Sequence, residues 1–103
     1  MNMSENEPMN ISIIIDNNIH LFQSFEAVYW FGSSLDSNAL HNDIDLLLIY
    51  NEFRDEINND VIRIQHELQD ICGVPIDLTV LSVAEQENTG FLKKIDSHYI
   101  KIK

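Results

Sequence analysis

An uninterrupted aliphatic run at residues 46–49, directly after the acids Asp43 and Asp45, constrains the fold more than any other feature of this chain. Consecutive apolar residues without alternation are typical of a strand that is covered on both faces. Alternate residues of a strand point to the same face, so we expect both carboxylates on one face, about 7 Å apart along the strand. Two acids at the mouth of a buried strand are costly unless a positive charge lies there.

A second strand-like run, at residues 74–81, contains one acid, Asp77. If this strand lies beside the first, Asp77 joins Asp43 and Asp45 on one face of the sheet. Carboxylates 4–6 Å apart repel by about 3–4 kcal/mol per pair at an effective dielectric constant near 20. Because Mg²⁺ binds a couple of carboxylates together with substrate phosphates, the three acids predict a Mg²⁺ site. The alternative for Asp77 is a solvent-facing acid on an edge strand.

The segment before the acidic strand ends in a turn that is suited to phosphate. Residues 27–31 predict a strand, and Gly32 after it permits a tight turn and the close approach of a ligand. A helix that begins at Ser33 would present free N–H groups to an anion. We therefore predict a nucleotide-phosphate site at Gly32 and Ser33, with an ordinary strand–turn–helix junction as the alternative. Residues 34–42 contain no Lys or Arg.

The remaining pattern predicts an α/β (α+β) fold in which helices pack on a small mixed β-sheet. Helical spacing of apolar residues predicts helices over residues 10–25 and 51–72, and Gly73 ends the second one. The inward face of that helix is predicted to consist of Ile57, Val61, Ile64, Leu68 and Ile71.

The last third of the chain continues this alternation of helices and strands. Ser82 and Glu85 have the spacing of a capping box, so helical pieces follow to about residue 96. Gly90 interrupts them. Residues 98–103 alternate between polar and apolar side chains and predict a short terminal strand.

The length and the charge of the chain limit its partners. A chain of 103 residues forms one domain, predicted over residues 10–103 after a flexible start at residues 1–9. Its 17 acidic and 6 basic residues give a net charge of −11. This balance argues against direct nucleic-acid binding, and it suits a basic protein partner or a metal–nucleotide complex. Lys93 and Lys94 are interpreted as a solvated helix face, with a nucleotide phosphate or a partner's acids as the alternative.

The single cysteine, Cys72, leaves no intrachain disulfide and no Cys-based metal site, and we interpret it as a packing residue. No apolar run approaches the length of a membrane span, and the start of the chain lacks the basic residues of a signal peptide. We therefore expect a cytoplasmic protein that makes no membrane contact. The sequence is compatible with a homo-oligomer or a hetero-oligomer.

The spacing of the polar residues forms a larger pattern. A Gly-Ser turn is followed, after nine residues, by an Asp-Ile-Asp triplet at the start of an apolar strand, and a later strand holds one Asp. These residues are Gly32, Ser33, Asp43, Ile44, Asp45 and Asp77. The pattern resembles that of the DNA polymerase β-like nucleotidyltransferase superfamily. The short length resembles its minimal nucleotidyltransferase (MNT) branch, which contains antitoxin-type partners of HEPN-domain toxins.

The resemblance implies an Mg²⁺-dependent nucleotidyltransferase and antitoxin, which moves a nucleoside monophosphate such as AMP from an NTP such as ATP to a hydroxyl. The implied acceptor is a tyrosine of a HEPN-type toxin. The resemblance also implies two Mg²⁺ ions held by Asp43 and Asp45, with Asp77 as a further metal ligand that positions or deprotonates the acceptor. Ser33 would hydrogen-bond a phosphate oxygen, and Gly32 would allow its close approach.

Two other functions stay open at this stage. The chain could be a catalytically weak or inactive antitoxin that neutralises its partner by occlusion, as its shortage of cations favours. It could also modify a small molecule such as an aminoglycoside, since an acidic surface suits a polycation. A domain without either role would have to explain three acids on or beside apolar strands.

Overall fold

The computed structural model describes residues 11–32, 43–95 and 98–103, and these residues form a mixed sheet with helices packed on it. The strands are β1 (Ala27–Phe31), β2 (Ile44–Tyr50), β3 (Ile76–Ser82) and β4 (Tyr99–Lys101). The helices are α1 (Ile11–Asn17), α2 (Asp55–Cys72), α3 (Val83–Thr89) and α4 (Phe91–Lys94), with a 3₁₀ turn at Ile19–Phe22.

The sheet has the strand order β3-β2-β1-β4. β2 and β3 are parallel and α2 connects them, whereas β1 is antiparallel to both β2 and β4. This confirms the predicted α+β fold with a small mixed sheet. β2 lies inside the sheet, and Leu46, Leu47 and Leu48 are fully buried, as the unbroken aliphatic run predicted.

The main core lies on one face of the sheet. Ile44, Leu46 and Leu48 alternate along β2 and point into a single cluster of buried side chains, to which α1 and the 3₁₀ turn also contribute. α2 covers this face through Ile64 and Leu68, together with other residues of its apolar side. α2 and its charged side chains therefore lie on the face of the sheet that Asp45 does not share.

The bounds of two helices differ from the prediction. The helix predicted over residues 10–25 is divided into α1 and the 3₁₀ turn, at the point where Asn18 Nδ2 donates to the carbonyl of Ile14 over 2.8 Å. α2 begins at Asp55 rather than at residue 51, because Arg54 has an extended backbone, with φ −142° and ψ 160°. The prediction that Ile71 faces the core is wrong, because its side chain is 46% exposed. Cys72 packs in the core in its place.

The helix ends and the last strand follow the sequence signals. Gly73 has φ +73° and its N–H donates to the carbonyl of Gln69, which ends α2 as predicted. The capping box of Ser82 and Glu85 is confirmed at the start of α3. Gly90, with φ +62°, separates α3 from α4, and the predicted terminal strand is β4.

The side chain of Lys103 joins the end of the chain to the segment between the 3₁₀ turn and β1. Lys103 Nζ donates to the carbonyl oxygens of Phe22 and Phe25, over 2.8 and 2.7 Å. No helix within the described ranges combines the length and the hydropathy needed to cross a membrane. The flexible start predicted at residues 1–9 and the phosphate contact predicted for Ser33 lie outside the described residues.

Candidate active site

A row of four side chains crosses the sheet at one register and on one face. Asp77 of β3 is the parallel neighbour of Asp45 of β2, and Asp45 is the antiparallel neighbour of Phe31 of β1. Phe31 in turn pairs with Tyr99 of β4. Neighbouring strands lie about 4.8 Å apart, so the backbones of Asp45 and Asp77 are adjacent. We call the face that carries this row the carboxylate face.

The two acids of the row interact directly. Burial raises the pKa of the Asp45 carboxyl above its ordinary value of 3.8, and the charges of Asp77 and Asp43 raise it further. A side-chain hydrogen bond between Asp45 and Asp77 acts in the same direction. Burial and the neighbouring negative charges therefore both disfavour the ionised form of Asp45.

The three predicted acids differ in their exposure. Asp45 is half-buried, whereas Asp43 and Asp77 are exposed. Asp43 directly precedes the first residue of β2. It is two residues before Asp45, so it lies beside Asp45 at the N-terminal end of the strand. The structure therefore brings Asp45 and Asp77 together, with Asp43 close enough for its charge to act on Asp45.

Gly32 is pressed against the carboxylate of Asp45. Its φ is +86°, a backbone conformation that favours glycine. A Cβ atom at this position would overlap Asp45 Oδ2 and would lie 3.1 Å from Asp45 Cγ and 3.2 Å from Asp45 Cβ. Gly32 is therefore required both by the turn at the end of β1 and by the space that the Asp45 side chain occupies.

The oxygen donors of this site fit a hard divalent cation. Within residues 11–32, 43–95 and 98–103, no group of three or more His, Cys, Asp or Glu side chains has the arrangement of a metal site. Mg²⁺, however, is usually bound through one or two carboxylates and completes its shell with water and substrate phosphates. The adjacent carboxyls of Asp45 and Asp77 provide such a pair, and a bound cation would relieve the repulsion that raises the pKa of Asp45.

Aromatic side chains flank the acids on the same face. The rings of Phe31 and Phe91 meet edge to face at 5.4 Å, and those of Tyr29 and Tyr99 meet at 5.2 Å. The first contact places the start of α4 next to the row that contains Asp45. Sequence reasoning missed these contacts. The signal was the alternation of Tyr29 and Phe31 along β1, which puts both rings on one face.

A family model described as polymerase beta, nucleotidyltransferase, matches residues 10–102. The chain belongs to this family. This confirms the superfamily that the Gly-Ser and Asp-Ile-Asp pattern indicated. No curated protein sequence matches the chain significantly.

A similar chain occurs in a solved structure of a tri-AMPylated Shewanella oneidensis HEPN toxin in complex with MNT antitoxin. The two chains share 14% sequence identity and a TM-score of 0.52, and the match covers 90% of this chain and 72% of the other. At this identity the likeness shows a shared fold. It agrees with the minimal nucleotidyltransferase architecture that the sequence resembles.

Proposed function

We propose that this nucleotidyltransferase is a cytoplasmic, Mg²⁺-dependent enzyme that transfers AMP from ATP to a hydroxyl of a protein partner, and so acts as an antitoxin. The observation that carries the proposal is the register of β2 and β3, which makes Asp45 and Asp77 neighbours on one face of the sheet. Gly32, whose missing Cβ leaves room for the Asp45 carboxylate, supports it.

The proposed roles are those that the sequence resemblance implies, and the positions and exposure of the three acids support them. Asp43 and Asp45 would hold two Mg²⁺ ions with the nucleotide phosphates, and Asp77 would contribute to binding the second. Bound Mg²⁺ would neutralise phosphate charge and polarise the reacting oxygens. Asp77 is exposed and lies on the edge strand, where an acceptor can approach, so it would orient the acceptor hydroxyl and accept its proton.

The proposed reaction is a substitution at the α-phosphorus of the NTP. The acceptor hydroxyl oxygen forms a bond to this phosphorus, and the bond from the phosphorus to the oxygen that bridges it to the β-phosphate breaks. Pyrophosphate leaves with the electron pair of that bond, and the hydroxyl proton passes to Asp77 or to water. Gly32 and Ser33 would hold the phosphates at the end of β1, as the sequence predicts.

The identity of the acceptor is proposed from the similarity of this chain to a solved structure. The solved structure of similar fold contains a HEPN toxin that is AMPylated, in complex with an MNT antitoxin. This supports AMP as the group transferred and a HEPN-type toxin as the partner of the present chain. A tyrosine hydroxyl as the acceptor is the expectation that the sequence resemblance adds.

The proposal is tested by label transfer. The chain is purified together with the protein that accompanies it in its host, and α-labelled ATP and Mg²⁺ are added. Wild type is compared with a double Asp43→Asn, Asp45→Asn variant and with a control variant, Asp70→Asn, which removes an exposed acid from α2. Label on a tyrosine of the partner with wild type and the control, but not with the double variant, is the expected result.

Three other results would contradict the proposal. Equal label transfer by the double variant would remove the acids from the mechanism. Absence of label in a complex that stays intact in all three proteins would favour an antitoxin that acts by occlusion, and label on an added aminoglycoside alone would favour a small-molecule enzyme.

A further inference from the structure

We propose that Lys93 and Lys94 bind the phosphates of the incoming nucleotide, an inference that rests on the proposed function. Both residues belong to α4, which begins at Phe91. The Phe91 ring packs on Phe31 at 5.4 Å, and Phe31 is the in-register neighbour of Asp45. α4 is thereby anchored on the carboxylate face beside the candidate metal ligands.

Both lysines lie within one turn of Phe91, the residue that anchors α4. Lys94 follows Phe91 by three residues and shares its side of the helix, whereas Lys93 follows it by two residues and lies on the other side. Both are exposed, and neither forms an ion pair within the described part of the chain. A lysine carries its charge on a flexible four-carbon stem, so it can reach a ligand beside its helix without a change in the backbone.

The other four cations of the chain are placed elsewhere. Arg54 precedes α2, beyond the far end of β2, and Arg63 on α2 pairs with Asp60 at 3.3 Å. α2 covers the opposite face of the sheet. Lys103 Nζ is bound to two backbone carbonyls, and Lys101 lies on the edge strand β4, two strands away from Asp45.

The negative charge of the nucleotide phosphates favours a pair of cations beside the site. The chain has a net charge of −11, which repels a triphosphate, and residues 34–42 beside the Gly-Ser turn contain no Lys or Arg. Lysine binds phosphate as a compact point charge with three donors. An adjacent pair of lysines on α4 therefore supplies the positive charge that the turn lacks, and it favours a triphosphate over nucleotides with fewer phosphates.

A binding measurement tests this role without relying on catalysis. The probe is α,β-methylene ATP with Mg²⁺, whose affinity for the 103-residue chain is measured by calorimetry. A double Lys93→Gln, Lys94→Gln variant is compared with a double Arg54→Gln, Arg63→Gln variant. Each variant removes two positive charges, the first from α4 and the second from α2 and its N-terminal end. Thermal unfolding of all proteins verifies that both variants remain folded.

We expect the lysine variant to bind the analogue about tenfold more weakly or worse, since a charged hydrogen bond contributes about 1.5–3 kcal/mol and 1.4 kcal/mol corresponds to tenfold. The arginine variant should stay within about twofold of wild type. Equal affinity of wild type and the lysine variant would overturn the inference and leave the proposed function standing. A lysine variant that binds nucleotide normally but loses its protein partner would assign the pair to the partner instead. Absence of binding by wild type itself would count against the proposed function.

Discussion

Replacement of Gly32 by alanine should separate the two reasons for a glycine beside Asp45. An alanine at positive φ costs about 1–2 kcal/mol in the backbone. Its Cβ would also displace the Asp45 carboxylate, and a side chain forced about 30° away from its rotamer costs about 0.5–1.5 kcal/mol. The two costs together amount to about 1.5–3.5 kcal/mol.

A matched control is available at the end of α2. Gly73 has φ +73°, and a Cβ there would meet no atom within 4 Å. Gly73→Ala should therefore cost the backbone term alone. For a domain of this size about 1 kcal/mol corresponds to a shift of roughly 4–8 °C in Tm. Gly32→Ala should unfold several degrees below Gly73→Ala in a thermal melt followed by circular dichroism.

A double-mutant cycle identifies the contact that is responsible. In an Asp45→Ala background the Oδ2 and Cγ atoms that a Cβ would meet are absent and only the 3.2 Å contact with the Cβ of residue 45 remains, so the cost of Gly32→Ala should fall towards that of Gly73→Ala. The expected coupling between the Gly32 and Asp45 substitutions is about 0.5–1.5 kcal/mol. Equal destabilisation by Gly32→Ala in the wild-type and Asp45→Ala backgrounds would refute the close approach of Gly32 to the carboxylate.

Three further outcomes follow from the structure. Because the pKa of Asp45 is raised on folding, the folded chain holds a proton that the unfolded chain releases, so the free energy of unfolding without divalent cations should fall as the pH rises above 3.8. Asp45→Asn should remove this fall and raise stability at neutral pH in urea titrations; parallel pH courses for the two proteins would contradict it. Lys103→Ala loses two hydrogen bonds to backbone carbonyls and should cost about 1–3 kcal/mol by chemical denaturation, whereas Lys101→Ala should change stability by less than about 0.5 kcal/mol. Ser82→Ala removes a side-chain bond to the N–H of Glu85 and should cost about 1 kcal/mol, visible as faster amide hydrogen exchange at Glu85; unchanged exchange there would dismiss the cap.

The sequence predicted the fold most accurately where one physical signal acted alone. The unbroken aliphatic run is typical of a strand covered on both faces, and β2 is that strand. Gly73 ends α2, and the capping box of Ser82 and Glu85 begins α3. Both act through local hydrogen bonds, so these helix ends could be predicted without the tertiary structure.

The pairing of Asp45 with Asp77 could be expected but not fixed from the sequence. A shift of one residue between β2 and β3 would turn Asp77 to the other face of the sheet. Side chains of α2 help to set the register, because Gln65 Nε2 donates to the carbonyl of Ile76 over 3.1 Å and the N–H of Ile76 donates to Gln69 Oε1 over 3.4 Å. These contacts join residues that the periodicity of apolar side chains does not relate.

The errors in the prediction have tertiary causes. Ile71 continues the apolar stripe of α2, but the helix ends at the next residue and that residue, Cys72, packs in the core instead. The contact between Phe31 and Phe91 depends on the angle at which Gly90 turns α4 towards the sheet, which no local pattern encodes. This contact was therefore missed, and with it the proximity of α4 to the acids.

The most direct test of the central claim, that Asp45 and Asp77 form a metal–nucleotide site, is a titration with Mn²⁺ followed by electron paramagnetic resonance. Wild type, Asp45→Asn and the α2 control Asp70→Asn are titrated with and without α,β-methylene ATP. We expect wild type and Asp70→Asn to bind Mn²⁺ more tightly when the nucleotide is present, and Asp45→Asn to lose this binding. Binding of Mn²⁺ and nucleotide by Asp45→Asn with wild-type affinity would contradict the claim.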